Sequence, residues 1–459
     1  MESLSGKDTG SSLLKKLNVF KRFTPAQVLV LGFALLILTG GGILTLPISG
    51  ATGQPVHFVD ALFTSTSAVC VTGLVVVDTG TRYSIFGQVI IMLLIQIGGL
   101  GFMTMATLFA LIMRKRIFLR ERLIMQEAYN QLTVEGVVKL ARRVLLITVL
   151  IEGAGAVILG LRWSAEYGLA RGFWYGLFHS VSSFNNAGFD LFGGFRSLSP
   201  YKSDFTVNIV VSFLIIIGGL GFSVLLDIYR RRKWRKFSLH TKVVLTTTAI
   251  LLTLGTLGTL CLEYNNARTL ANFNLPGKVL ASWFQSVTTR TAGYNTIDIG
   301  GMRSATQFLF VMLMFIGASP GSTGGGIKTT TFGTLVLAVW AMVRGKEDIE
   351  IYKRRLPKEI VIRSLAISTV ALGLVIFITM LLTITENADF LAVLFETTSA
   401  FGTVGLTMGI TPKLTIVGKL AIMLTMYLGR VGPLTVAFAL AQKQQKAVYR
   451  LAEEKIMVG

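Results

Sequence analysis

Four times along this chain, an aromatic-led segment rich in serine and threonine runs into a glycine. The segments cover residues 63–73, 178–188, 284–293 and 395–405. Three align without a gap, and the third is one residue shorter. Each lies between two long apolar stretches. Four copies of one loop within one chain can surround a single axis. A membrane protein uses such an arrangement to build a ring of backbone carbonyls around a dehydrated cation.

The composition fits a bilayer. Of 459 residues, 52% are hydrophobic and only 15% charged, and the mean hydropathy is +0.66. A soluble chain carries roughly a quarter charged residues. Several apolar runs reach the ~20 residues that cross a hydrocarbon core. The first twenty or so residues are polar and basic, and the first apolar run is too long for a cleavable signal peptide. The net charge of +21 would suit a nucleic-acid binder only if it formed a patch on a folded domain. Here the basic clusters 114–116, 230–233 and 353–355 fall between apolar runs, as the positive-inside rule requires. The expected surroundings are therefore a lipid bilayer, with no nucleic-acid partner. Cys70 and Cys261 imply no disulfide framework, and His57, His179 and His240 stand at unrelated positions, so no metal cluster is expected.

The apolar runs give one unit four times: outer helix, short helix, glycine loop, inner helix. The outer helices are expected near 24–48, 137–163, 240–262 and 358–384. The short helices are expected near 58–68, 173–183, 280–289 and 390–400, and the inner ones near 85–113, 204–228, 305–343 and 416–441. About ten residues are too few to span, so the short helices read as re-entrant. Non-helical backbone at membrane depth is tolerated where it lines a watery cavity. The expected fold is an all-α polytopic membrane protein: four pseudo-symmetric helix–pore loop–helix repeats, with eight transmembrane helices around one pore. The divisions are a cytoplasmic segment 1–23, then repeats 24–122, 123–236, 237–347 and 348–459. Eight spans put both termini on one side, and the basic linkers make that side cytoplasmic, with the chain in the plasma membrane.

The inner helices repeat too. Residues 97–101 read Ile-Gly-Gly-Leu-Gly, as do 217–221, and residues 428–432 read Leu-Gly-Arg-Val-Gly. At the matching place the third repeat has a longer run rich in glycine.

Glycine reaches positive φ without the steric penalty of other residues, which rationalises Gly73, Gly188, Gly293 and Gly405 as the points where carbonyls turn inward. The short helices would aim their negative C-terminal ends at the cavity, favouring a cation. Their serines and threonines can support the loops from behind. The candidate filter residues are Val69, Cys70, Val71, Thr72 and Gly73; Asn185, Asn186, Ala187 and Gly188; Arg290, Thr291, Ala292 and Gly293; and Gly402, Thr403, Val404 and Gly405. Cys70, Asn185, Asn186 and Thr403 differ between repeats and are assigned backbone roles only.

Residues 71–74, 184–189, 290–294 and 401–406 resemble the four filter loops of the Trk/Ktr/HKT potassium transporter superfamily, and the likeness covers nearly the whole chain. Eight spans with no added N-terminal pair resemble the KtrB-type membrane subunit. The resemblance implies potassium uptake, often sodium-stimulated, with potassium held at the filter residues. It implies a homodimer with one pore per subunit and a cytosolic, nucleotide-binding KtrA-type regulatory ring. The HKT branch can carry serine at the first filter glycine and then favours sodium. Gly73 at that position resembles the potassium-selective pattern.

Two features break the repeat. The third inner helix is interrupted between residues 317 and 326, where Pro320 and the clustered Gly317, Gly321, Gly324, Gly325 and Gly326 cannot sustain a helix. The stretch fails the phosphate-binding pattern, because Ile327 precedes Lys328 and no strand leads in. It is expected to be an intramembrane gate loop. Arg430 lies deep in the fourth inner helix, where an unpartnered arginine costs at least ~2.5–3.5 kcal/mol, so it should face water or a partner. The resemblance implies a place in the pore near the gate. Arg290 and Glu396, both charged within re-entrant segments, are expected to pair behind the filter. Asp60 is expected to favour the dipole of the first short helix.

No paired carboxylates, metal-spaced ligands or nucleophile–base set argues for an enzyme. A coupled secondary transporter of sodium and potassium stays open as the alternative, although such folds usually show inverted or paired repeats. The sodium site is not legible.

Overall fold

The computed structural model describes residues 23–101, 123, 126, 137–346, 348–440 and 454. The expected N-terminal segment, the far end of the first inner helix with its basic stretch 114–122, and most of the C-terminal tail lie outside the described residues.

The first repeat comprises α1 (Pro25–Thr45), α2 (Phe58–Val69) and α3 (Ile85–Leu100). The second comprises α4 (Val137–Tyr167), α5 (Leu169–Phe184), α6 (Phe205–Leu220) and α7 (Phe222–Arg231). The third comprises α8 (Leu239–Glu263), α9 (Leu275–Thr288), α10 (Ser304–Phe315) and α11 (Thr329–Val343). A hairpin of β1 (Ile349–Ile351) and β2 (Arg354–Leu356) follows, pairing Glu350 with Arg355. The fourth comprises α12 (Lys358–Thr385), α13 (Phe390–Gly402), α14 (Ile416–Val431) and α15 (Pro433–Leu440).

Local signals set the helix starts. Thr24 and Gln27 form a capping box at α1. Ser84, Asp204 and Thr415 cap the inner helices α3, α6 and α14 through the backbone N–H three residues on. By length and composition, the four outer helices contain the stretches long and apolar enough to cross a membrane. They leave side chains such as Leu35, Leu146, Leu254 and Phe377 exposed, as bilayer-facing surface would. The short helices face inward. The aromatic residue leading each loop segment, Phe63, Phe178, Phe284 and Phe395, is fully buried.

One contact repeats three times with little variation. Ser65 Oγ donates to Ile37 O at 2.8 Å, Ser180 Oγ to Glu152 O at 2.7 Å and Ser286 Oγ to Leu252 O at 2.7 Å. Three residues further along each outer helix stands Gly40, Gly155 or Gly255. A side chain there would collide with the same serine oxygen. Small residues thus let each short helix press onto its outer helix and satisfy its hydroxyl in an apolar setting.

The inner helices depart from expectation. The third is interrupted as expected, but three others end or bend as well. Gly101, Gly221 and Gly432 adopt φ of +82°, +93° and +94°, a region that side chains disfavour. At Gly221 the chain turns by 96° between α6 and α7, and α14 gives way to α15 across Gly432. Continuous inner helices over 204–228 and 416–441 are therefore corrected to broken ones. The last glycine of each repeated five-residue motif caps the end of α3, α6 or α14.

Candidate ion-conducting site

The four loops close into a ring. A Cβ built on Gly73 would lie 3.1 Å from Gly188 Cα. The same contact recurs from Gly188 to Gly293, from Gly293 to Gly405 and from Gly405 back to Gly73, each at 3.1 Å. The carbonyl oxygens of Ala187, Ala292, Val404 and Thr72 lie against these same glycines, leaving no room for a side chain.

Each loop also has one backbone signature. Gly73, Gly188, Gly293 and Gly405 have φ of +89°, +67°, +81° and +93°. Two residues earlier, Val71, Asn186, Thr291 and Thr403 are also positive, at +51°, +59°, +69° and +50°. The residue between them keeps negative φ. Reversing φ at alternate residues offsets the half-turn between successive peptide planes, so their carbonyls face one side, as a cation filter requires. Positive φ is rare for non-glycine residues, and for a β-branched residue such as Val71 it is strained.

Short-helix hydroxyls hold that strain from behind. Gly73 N–H donates to Ser67 Oγ at 3.0 Å and Gly405 N–H to Ser399 Oγ at 3.1 Å. In the second loop Ser182 Oγ accepts from Phe189 N–H at 2.9 Å. Tyr294 Oη donates to Phe189 O at 2.9 Å, tying the third loop to the second.

Not every candidate filter residue joins the ring. Val69 is the last residue of α2 and Gly402 the last of α13. The Val69 carbonyl packs on Gly98 of α3, and Gly402 packs on the Met314 carbonyl. Cys70 caps α2 and is buried. Asn185 caps α5, and its Nδ2 donates to Glu152 Oε1 at 2.9 Å and to Gln96 Oε1 at 2.8 Å. Its side chain thus bridges two neighbouring helices.

On one side of the ring, a cavity of about 230 Å³ is lined by all four glycines together with Asp190 and Asp298. Both carboxylates were missed in sequence, since neither lies inside a repeated motif. Burial pushes the Asp190 carboxyl up to about 7, with Asp78 adding to the effect and Arg196 and the Phe192 and Gly193 N–H groups opposing it.

On the other side lies the interruption between α10 and α11. It folds back on itself, with Ala318 N–H donating to Gly325 O at 3.2 Å and Thr329 N–H to Ala318 O at 3.2 Å. Inner-helix ends hold it: Ser319 N–H donates to Gly219 O at 3.0 Å, Thr323 N–H to Gly218 O at 3.2 Å and Gly326 N–H to Gly429 O at 3.3 Å. Side chains of the loop ring hold it too. Gly325 N–H donates to Thr403 Oγ1 at 3.0 Å, and Thr323 Oγ1 to Asn186 Oδ1 at 3.1 Å. Gly317 packs on Gly325 and Gly326, Gly324 packs on the Thr291 side chain, and Gly321 and Gly326 take φ of +65° and +67°. Asn186 and Thr403, which sequence variation between repeats suggested were bystanders, thus tie this segment to the ring.

Arg430 has internal partners. Its guanidinium donates to Thr323 O, Gly98 O and Gly99 O. The last two belong to the final turn of α3, where a cation complements the helix dipole. Lys328 Nζ donates to Gly324 O at 2.7 Å from the far end of the same segment.

These features coincide with a family match over nearly the whole chain: a family model described as TrkH, cation transport protein, matches residues 13–450. The chain belongs to the TrkH cation transport family. It is 48% identical over 448 residues to the Ktr system potassium uptake protein B of Bacillus subtilis (strain 168), covering 97% of this chain and 100% of that one. It is 45% identical to the potassium/sodium uptake protein NtpJ of Enterococcus hirae, covering 98% and 100%. The fold matches the crystal structure of the potassium transporter TrkH from Vibrio parahaemolyticus with a TM-score of 0.70 at 18% identity, covering 91% of this chain and 84% of that one. The KtrB-type resemblance and the all-α polytopic membrane fold agree with these matches.

In this TrkH-family chain the expected Arg290–Glu396 pair is not formed. Glu396 accepts from Thr407 Oγ1 at 2.6 Å and Thr411 Oγ1 at 2.5 Å. Arg290 Nε and Nη1 are buried with no hydrogen-bond partner among the described residues. Two threonines within one repeat satisfy the carboxylate locally, so no arginine from the neighbouring unit is needed. Asp60 does lie in the first turn of α2, and it also pairs with Lys419 of α14 at 2.7 Å, a link absent from the sequence reading.

Proposed function

We propose that this chain takes up potassium through the ring of loop carbonyls, and that the segment between α10 and α11 gates passage below it. The observation carrying this reading is the closed cycle of four glycine contacts with positive φ repeated two residues apart. Carbonyl oxygens replace the hydration shell without fixed charge, so the ion can leave again. Asp190 and Asp298 stand on the entry side, which the charge of the linkers makes extracellular. Arg430 and Lys328 stand beside the gate, where positive charge opposes cation occupancy. The relatives named Ktr system potassium uptake protein support potassium as the cargo and, through the family resemblance, a homodimer in the plasma membrane regulated by a cytosolic KtrA-type nucleotide-binding ring.

A second reading, sodium stimulation or sodium/potassium coupling, draws on the Enterococcus hirae relative named for both ions. Isotope flux into proteoliposomes holding the purified chain, with potassium and sodium gradients varied independently, separates the two. Potassium flux without sodium movement supports the channel-like reading. Equal uptake of both ions overturns the selectivity.

A further inference from the structure

Away from the pore, the link between α7 and α8 and the β1–β2 hairpin enclose a recess of about 100 Å³. Its walls include the cations Arg231, Arg235, Lys236, Lys242 and Arg354, with Tyr352. Arg231 is paired with Asp227 at 2.7 Å. The other four cations have no ion-pair partner among the described residues. Four like charges around one recess repel one another unless an anion sits between them.

The recess is built rather than incidental. Asp227 Oδ2 accepts from Ser238 N–H at 2.9 Å and from Thr241 Oγ1 at 2.7 Å, fixing the turn into α8. Opposite, the hairpin turns through Tyr352 and Lys353 at φ of +48° and +62°, a conformation that ordinarily selects Asn-Gly. Tyr352 Oη lies 2.7 Å from Thr246 Oγ1 of α8, and the Tyr352 ring packs on Trp234 and beneath Lys242. A strained turn is thus held so that Arg354 faces the α7–α8 link.

Size and surroundings identify the occupant. Sites for drug-sized molecules measure about 300–1,000 Å³, so the recess takes in a phosphate group and leaves the rest of its molecule outside. Tyr229, Trp234 and Trp340 are exposed nearby, as are the apolar Val339, Met342 and Val343 at the end of α11. Aromatic and basic residues beside exposed apolar helix mark the membrane–water boundary, where basic pockets take anionic head groups. We propose that this recess binds the phosphate head group of an anionic phospholipid. It is independent of the pore reading.

The test is thermal unfolding of the full chain in detergent with dioleoylphosphatidylglycerol, dioleoylphosphatidylcholine or sodium phosphate. The phosphatidylglycerol is expected to raise the melting temperature above the phosphatidylcholine value, because a ligand that binds only the native state stabilises it. The double variant Arg235→Gln/Arg354→Gln should lose that difference, and Lys358→Gln, which alters an exposed cation at the start of α12 outside the recess, should keep it. If the double variant does not fold, native mass spectrometry of wild type and Arg354→Gln should show fewer bound phosphatidylglycerol molecules on the variant. The proposal is overturned if Arg235→Gln/Arg354→Gln or Arg354→Gln keeps the full lipid response, or if sodium phosphate alone reproduces it. It is also overturned if an acidic peptide raises the melting temperature and phosphatidylglycerol does not.

Discussion

Arg430 Nη2 lies 2.9 Å from Gly99 O, so a cation on the fourth inner helix binds the last turn of α3. The same guanidinium reaches Thr323 O in the interrupted segment. Arg430 therefore clasps α3 and the interrupted segment between α10 and α11 to α14, which accounts for its tolerance at membrane depth.

Arg430→Ala removes that clasp. Hydrogen bonds to a charged group contribute about 1.5–3 kcal/mol each, and each ~1.4 kcal/mol is a tenfold change in an equilibrium. Rubidium flux through the isolated chain is expected to rise by about tenfold or more on that scale, with Arg430→Lys intermediate because one ammonium cannot span all three carbonyls. Unchanged flux at normal expression contradicts the gating role.

Ser67→Ala and Ser399→Ala each leave a buried loop N–H without an acceptor, at a cost of about 1–3 kcal/mol. The ring should loosen before the fold is lost. Potassium-over-sodium preference, read by competition against rubidium uptake, is expected to fall in each variant.

Gly405→Ala puts a methyl group against Thr72 O at φ +93°. Strain and collision act together, so uptake should be lost while the chain still inserts. Growth on limiting potassium and membrane-fraction blots measure the two separately.

Asp190 gives a pH dependence. Its carboxyl is raised to about 7 by burial, so it is neutral below that pH and charged above it. Uptake at subsaturating cation should rise with external pH through neutrality as the charge develops. In Asp190→Asn that rise should flatten. An unaltered profile in the variant removes Asp190 from the ion's path.

Arg290 and Glu396 should behave independently. With Glu396 satisfied by Thr407 and Thr411, a double-mutant cycle is expected to be additive within about 0.3–0.5 kcal/mol. A larger coupling would show that the two charges meet in another state.

The ring is legible in sequence because all four loops obey the same constraint, and Gly73, Gly188, Gly293 and Gly405 repeat at matching places. The interrupted segment is legible for the opposite reason: residues 317–326 break the pattern. The broken inner helices are less legible. Gly101, Gly221 and Gly432 follow apolar runs that could continue as helix, and only the packing of Gly98, Gly218 and Gly429 on the short-helix ends shows why they stop. The Arg290–Glu396 expectation fails because charge alone ignores neutral partners: Thr407 and Thr411 lie close in sequence but carry no charge to attract notice. The positive φ of Val71 and Thr403 is invisible to propensity, since β-branched residues argue against it.

The glycine ring closes within a single chain. In an assembly of four identical copies, one codon change would alter all four quarters together. Here each quarter has its own codon and can drift alone, so the lining of the ring can be adjusted one quadrant at a time. A lining of unequal quadrants can also grip an ion off-centre, an option that strict symmetry would deny.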